Sequence, residues 1–305
     1  MDGIINLYKP RGYTSHDATS RIKRFCGTRR VGHAGTLDPM AQGVLPVLVG
    51  RATAAQDYIM SRTKSYRAGM RFGITTDTGD ITGKVLSVNE TALDPETVMQ
   101  AAEKFVGKIS QVPPMYSAIK IDGKKLYELA REGVTVERRA REVEIFSIEL
   151  VKAENATDFL IDISCSKGTY IRTLCEDIGK TLGCGGALYS LERTSSGVFC
   201  AGNCVTMEEL EKAYEDGGHD AVEKFLIPAE DIFRDLKKVT LSPFYTKLCK
   251  NGCEIYLEKA HLLPEEFPEG TLVRIYGSDG NFMALGKSGM FREGAAIKAV
   301  VRFCD

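Results

Sequence analysis

The sequence predicts an α+β chain of two units, a larger one over residues 1–235 and a smaller β-rich one over 236–305. Three observations predict it. Stretches that alternate in the manner of strands, such as "EVEIFSIELVKA" and "DFLIDISCS", are interspersed with stretches of helical period. Composition shifts at "IPAEDIFRDLKKVTLSP", which places a boundary near residue 236. Beyond it, "EGTLVRIYGSDGNFMALGKS" and "AAIKAVVRF" are short alternating strands separated by Gly-Ser-Asp-Gly turns. A length of 305 residues is enough for a sizeable core and for two domains.

In chain order, "YTSHDATSRIKRFCG" reads as a helix. Thr14 and Asp17 have capping-box spacing, Ala18, Ile22 and Phe25 fall on one face, and Gly27 closes it. "GVLPVLVG" is a short buried strand in which Pro46 predicts an edge or an irregular end. "KSYRAGMRFGITTDTGDITGKVLSV" alternates like strands joined by a Gly/Asp/Thr-rich turn, and "DPETVMQAAEKFVGKI" is a helix opened by Asp94 and Pro95. Residues 112–142 are polar and basic with little apolar period, an excursion from the core. "IRTLCEDIGKTLG" is a helix with apolar positions at 171, 174, 175, 178 and 182, and a further helix lies near 206–216.

Bulk properties exclude several classes. No stretch approaches the eighteen or so consecutive apolar residues of a membrane span, and no apolar leader region with a cleavage site opens the chain, so a cytoplasmic protein is expected. Nine cysteines, an odd number, predict reduced thiols. Cys200 with Cys204 and Cys249 with Cys253 are two C-x3-C pairs, but neither has the tight knuckle of a zinc ribbon, and packing as small buried hydrophobes is the expectation. The net charge of −1 hides an asymmetry: residues 1–75 hold twelve Lys/Arg against four Asp/Glu, and "RIKRFCGTRR" contains five basic residues and no acid. Such a segment suits either a polyanion-binding face or a solvated helix face.

No phosphate loop, dinucleotide fingerprint, H-E-x-x-H or nucleophile-elbow motif is present, and there are only four histidines. What remains is a carboxylate, basic residues and tyrosines, which suffice for acid/base or nucleophilic chemistry without a cofactor. The carboxylate is Asp38, placed in "GHAGTLDPMAQGVLPVLVGR" just before an apolar run. A partly buried Asp needs a cationic partner. Arg172 in "SCSKGTYIRTLCEDIG" is the best donor; if "TYIR" is extended, Tyr170 and Arg172 face one way and Ile171 the other. An exposed charge at a helix start and a core aromatic are the competing readings of these two residues.

Taken together, "LYKPRGYTSHD", "GHAGTLDPMAQGVLPVLVGRAT", "KSYRAGMRFGITTDTGD", "PPMYSAIKIDGKKLYELAREG", "CSKGTYIRTLCEDIG" and "LERTSSGVF" resemble, in order, the bacterial tRNA pseudouridine-55 synthase family. The resemblance runs from residue 4 to about 200, and the tail resembles the PUA module, an RNA-binding β-barrel. It implies a pseudouridine synthase fold, with a central, mostly antiparallel mixed sheet flanked by helices and loops. It implies Asp38 as the catalytic aspartate, Tyr66 as the tyrosine that stacks on the target base, Arg172 as the partner of the aspartate, and Tyr170 as an aid to proton transfer. His33 would help hold the substrate loop with its base flipped, and Leu191 would wall the uracil pocket. Lys9 and the 112–142 excursion, with Lys120, Lys124 and Lys125, would contact RNA. The implied partner is tRNA through its T-stem-loop, bound by a monomer with no cofactor, metal or protein partner. A flipped loop base is cheaper to present than a paired one.

Overall fold

The computed structural model describes residues 1–117, 119–121 and 123–304. The chain opens with strand β1 (Gly3–Lys9) and helix α1 (Ser15–Phe25). The start of α1 is fixed by the expected capping box: the Thr14 hydroxyl accepts the Asp17 amide, and the Asp17 carboxylate accepts the Thr14 amide. Then come β2 (Val31–His33), β3 (Gln42–Val49), α2 (Gln56–Met60), β4 (Lys64–Phe72) and a hairpin of β5 (Ile74–Thr76) and β6 (Val85–Val88). Helix α3 (Pro95–Glu103) begins where Asp94 caps the Thr97 amide, but it is shorter than its sequence predicts. Its expected last turn instead leads into β7 (Gly107–Gln111), because Ile109 pairs with Val143 across the sheet, and that tertiary pairing outweighs local helical spacing.

The polar excursion follows as a hairpin of β8 (Lys120–Ile121) and β9 (Lys124–Lys125) leading into α4 (Leu126–Arg131). Its two ends meet, since Gln111 is paired with Arg141 at the start of β10 (Arg141–Ala153). The remainder comprises β11 (Asp158–Cys165), α5 (Ile171–Thr181), β12 (Gly186–Ser196), β13 (Phe199–Cys200), β14 (Val205–Thr206), α6 (Met207–Glu223) and α7 (Ala229–Ile232). Helix α6 runs further than residue 216 by way of a kink at Gly218. Last are β15 (Lys237–Thr240), α8 (Pro243–Lys250), β16 (Ile255–Tyr256), β17 (Leu272–Tyr276), β18 (Phe282–Phe291) and β19 (Gly294–Arg302).

The large sheet has the order β14-β1-β3-β12-β4-β11-β10-β7, with β13 added to β12 and β2 to β3. Its pairings are antiparallel except β1 with β14 and β3 with β12. Pro46 therefore lies in an interior strand, not at an edge. Its carbonyl accepts the Ala34 amide on the side where β12 pairs only with Gln42 and Gly43 and β2 only with Val47 to Val49. The ring nitrogen faces the same way, toward Ala34 just past the end of β2, so Pro46 interrupts none of the β1–β3 ladder bonds on its other side.

The two faces of the large sheet bury different layers. Ile5, Leu7, Leu45, Val47, Ala68 and Met70 meet Ala18 and Ile22 of α1, Val98 of α3, and Leu174 and Ile178 of α5. The alternate residues Ile4, Val44 and Leu48 meet Phe199, Ile232 and Phe233 together with Leu285 and Val301 of the second sheet. That second sheet, β15-β17-β18-β19-β16, has its own core of Val239, Ile255, Val273 and Ile275 among others.

Candidate active site

Asp38 occupies the loop between β2 and β3, and the start of α1 grips that loop. The buried Ser15 hydroxyl donates to the Leu37 carbonyl (3.1 Å) and accepts the Leu37 amide (2.9 Å), while the Gly12 amide donates to the Pro39 carbonyl (2.7 Å). The residues on either side of Asp38 are thus fixed, and its own side chain remains 35% exposed at the surface of a dense surround.

Arg172 meets it from the opposite direction. The "TYIR" segment is not extended throughout. Tyr170 is extended, as the N-cap of α5, but Ile171 and Arg172 are already helical. The reason is a contact far away in sequence: the Gln111 side chain accepts the Tyr170 amide (3.0 Å) and donates to the Tyr170 carbonyl (3.3 Å), which ends the extended run at that residue. A side chain in the first helical turn points back past the helix start, which carries the Arg172 guanidinium into the site.

The Arg172 side chain is 6% exposed and ties α5 to three other segments. Its Nη2 lies 3.0 Å from Asp38 Oδ2 and donates to the Tyr116 carbonyl at 2.7 Å. Its Nη1 donates to the Thr78 carbonyl at 3.0 Å and stands 3.9 Å from Asp80 Oδ2. Asp80 is itself buried, with Oδ1 occupied by the Thr82 amide (2.9 Å) and hydroxyl (2.5 Å). Its loop approaches α5 so closely that a Cβ on Gly79 (φ +76°) would stand 2.6 Å from Glu176 Oε1 and 3.3 Å from Arg172 Cβ. Sequence reasoning missed Asp80, because "DTGDITG" reads as ordinary turn chemistry and nothing local identifies Arg172 as its partner.

Burial pushes the Asp38 carboxyl above the usual carboxylate range; Arg172 and Lys9 pull it down, and Asp80 adds to the upward push. Lys9 is fully buried, its ammonium donating to the carbonyls of Pro10 (2.9 Å) and Tyr13 (2.6 Å), and burial lowers its pKa to about 8. Enclosed in this way it is not placed to meet a phosphate. It stands as a buried cation near Asp38. Lys64 is a second buried cation, donating to the carbonyls of Met60 (2.9 Å) and Arg62 (3.0 Å), with its pKa likewise lowered to about 8 by burial.

Tyr66 on β4 is 8% exposed, and burial raises its pKa. Directly across from it on β12 is Arg193, and two residues earlier on the same face Leu191 stands opposite Ala68. Tyr170 is partly buried, with its pKa raised by burial. His33 on β2 has a buried Nδ1 without a hydrogen-bond partner in the described structure, and burial, with Arg193 and His16, favours its neutral form. In the excursion Lys124 is exposed and 3.8 Å from Glu132. Lys120 and Lys125 lie on the β8–β9 hairpin, and their side chains lie outside the described ones.

The cysteines are less buried than the sequence predicts. Five are buried, but Cys200 is exposed and Cys204, Cys253 and Cys304 are partly so. Cys200 and Cys204 flank a short turn pinned by Asn6, whose amide donates to the Cys200 and Asn203 carbonyls. Among the described residues no cluster of three or more His, Cys, Asp or Glu is placed to hold a metal ion, and no helix is long and apolar enough to cross a membrane.

The arrangement presents one carboxylate, oriented by a planar guanidinium and flanked by an aromatic and an aliphatic side chain. A carboxylate held in this way can act as a nucleophile or a base. Comparison with known proteins places the chain in a family. A model for the TruB family pseudouridylate synthase N-terminal domain matches residues 23–171, and one for the tRNA pseudouridylate synthase B C-terminal domain matches 172–234. The chain is 41% identical over 288 residues to tRNA pseudouridine synthase B of Clostridium perfringens (strain 13 / Type A), covering 94% of this chain and 95% of that protein. It is 40% identical to the Pseudomonas putida (strain GB-1) protein of the same name, covering 94% and 92%. Among solved structures it is similar to one of a Cbf5-Nop10-Gar1 complex, with TM-score 0.73, 28% identity, and coverage of 97% of this chain and 83% of that one. It is also similar to one of an H/ACA RNP bound to a substrate RNA containing 2'-deoxyuridine, with TM-score 0.74, 26% identity, and coverage of 99% and 85%.

Proposed function

Since the chain belongs to the TruB family of pseudouridylate synthases, we propose that it converts uridine to pseudouridine in tRNA, at position 55 of the T-loop. The observation that carries this reading is the pair of Asp38 and the buried Arg172 at 3.0 Å, on the tyrosine-bearing face of the sheet. The reaction breaks the N1–C1′ bond, turns the uracil in place and forms a C5–C1′ bond; the proton lost from C5 is balanced by one gained at N1. Nothing is added or removed, so one carboxylate can drive it without a cofactor. Glycoside hydrolysis would normally call for two opposed carboxylates with water between them. Here the second carboxylate, Asp80, is buried behind Arg172 and faces the guanidinium instead.

In this reading Tyr66 stacks on the flipped base, Leu191 forms the opposite wall, and Tyr170 stands by for proton transfer. His33 holds the substrate loop, and Lys124 with the rest of the excursion contacts the RNA. The excursion also reaches the chemistry directly, because the Tyr116 carbonyl near its start holds Arg172 Nη2. The test is to incubate the purified full chain with unmodified tRNA and map pseudouridine. Binding without product would reduce the protein to an RNA-binding factor, and release of free uracil would make it a hydrolase.

A further inference from the structure

Arg193 is among the largest fully buried side chains of the protein, 1% exposed, yet no ion pair with a carboxylate is formed by it among the described residues. Its Nε donates to the Val44 carbonyl (2.6 Å) and its Nη2 to the Gly35 carbonyl (3.1 Å). These two acceptors lie on either side of Asp38, at the two shoulders of its loop. On one side along the sheet Arg193 is in register with Gly43, where a Cβ would stand 2.3 Å from the Arg193 carbonyl oxygen. On the other side it is in register with Tyr66. The guanidinium is therefore wedged between the loop that bears the carboxylate and the tyrosine of the opposite strand.

A guanidinium has five N–H donors and no acceptor. A phenol held against it can only accept, so the phenol's own O–H is turned to the other side. Cross-strand neighbours on one face have Cβ atoms about 5 Å apart, close enough for this contact once the loop carbonyls have fixed the guanidinium plane. We propose that Arg193 is a positioning residue that orients the Tyr66 hydroxyl, so that its proton points toward Asp38 and the base, while it braces both shoulders of the Asp38 loop. Its charge also opposes the effect of burial on the Tyr66 phenol. Lysine cannot replace it, because a single ammonium lacks the planar fork that reaches several acceptors at once.

This inference rests on the reading that Tyr66 faces the target base, and a double-mutant cycle tests it. Single-turnover pseudouridine formation on unmodified tRNA is measured for the wild type, Arg193→Lys, Tyr66→Phe and the double variant, alongside tRNA affinity and thermal melting. In the wild-type background Arg193→Lys is expected to lower the rate about tenfold or more, with affinity changed by no more than about twofold. In the Tyr66→Phe background the same substitution should cost less than about threefold. Equal losses in the two backgrounds would overturn the proposal. Should Arg193→Lys fail to fold, Arg193→Gln runs the same cycle with the same outcomes. In the unaltered chain, a ring-fluorinated tyrosine at position 66, a stronger donor, should change the rate and leave affinity alone; an unchanged rate would equally overturn it. A wild type that forms no pseudouridine would remove the functional reading itself, which is a different result from an active wild type with independent losses.

Discussion

Asp38 shows how burial and charge compete at a single residue. Its folded pKa lies above the unfolded one, so between those two values the native state holds a proton that the unfolded chain has released. The associated stability is present below the ordinary carboxylate range and is lost as pH rises through the raised folded value. At neutral pH the ionised side chain is thus a destabilising one. Asp38→Asn should therefore abolish turnover, leave tRNA binding in place and raise the melting temperature at pH 7, since Asp80 still faces Arg172. A lower melting temperature would show that the attraction of Arg172 outweighs burial. Arg172→Lys keeps the charge but not the fork, and a rate loss of roughly a hundredfold at unchanged tRNA affinity is expected. Lys64 titrates with the opposite sign. Its pKa falls from 10.5 to about 8, so the cost of burying its charge is full below pH 8 and is relieved as pH rises toward 10.5. Denaturant melts should show the wild type gaining on Lys64→Met by up to about 3 kcal/mol across that window. A difference that stays flat would mean that the ammonium remains charged throughout.

At the level of elements, the helix starts do the placing. The N-terminus of α1 was legible because Thr14 and Asp17 are three residues apart and their bonds are local. The role of Ser15 in holding the catalytic loop was not, because Leu37 is distant in sequence. The start of α5 and the pairing of Arg172 with Asp38 were legible, whereas the residue at which the extended run ends was not, since Gln111 fixes the Tyr170 backbone from 59 residues away. Asp38 itself was legible through its motif, whereas Asp80 was not, because its partner Arg172 is 92 residues away and its own segment has ordinary turn chemistry. The β5–β6 hairpin offers a test of the Asp80 loop. Gly79 has a positive φ, and a Cβ there would stand 2.6 Å from Glu176 Oε1, so Gly79→Ala strains the loop backbone and pushes the Glu176 carboxylate aside. The expected result is a stability loss of about 1–3 kcal/mol, together with a drop in turnover at unchanged tRNA affinity. A variant with wild-type turnover would show that Arg172 does not depend on this loop.

On the scale of the whole molecule, the second sheet is more than an appendage. Leu285 and Val301, with Phe282 and Phe303, are packed in one cluster with Ile4, Val44 and Leu48 of the large sheet. Arg62 and Asp235 add an ion pair at 2.8 Å just before that second sheet begins. A chain ended at residue 235 exposes this face. Losing four apolar contacts at roughly 1.5 kcal/mol or more each should lower the melting temperature by about 10 °C or more. The shortened chain is expected to bind a hydrophobic dye as well; one that melts like the full protein would show that the two sheets are independent. The order of the large sheet carries a consequence for how the protein is made. β1, made well before β14, is flanked by β3 and by β14, and Ile4 forms a bridge with Ile227. At roughly 5–20 residues per second, β1 waits on the order of ten to forty seconds of synthesis for its second neighbour. During that time the β1–β3 hairpin has an open edge, which is a surface for chaperones to cover and for other nascent chains to find.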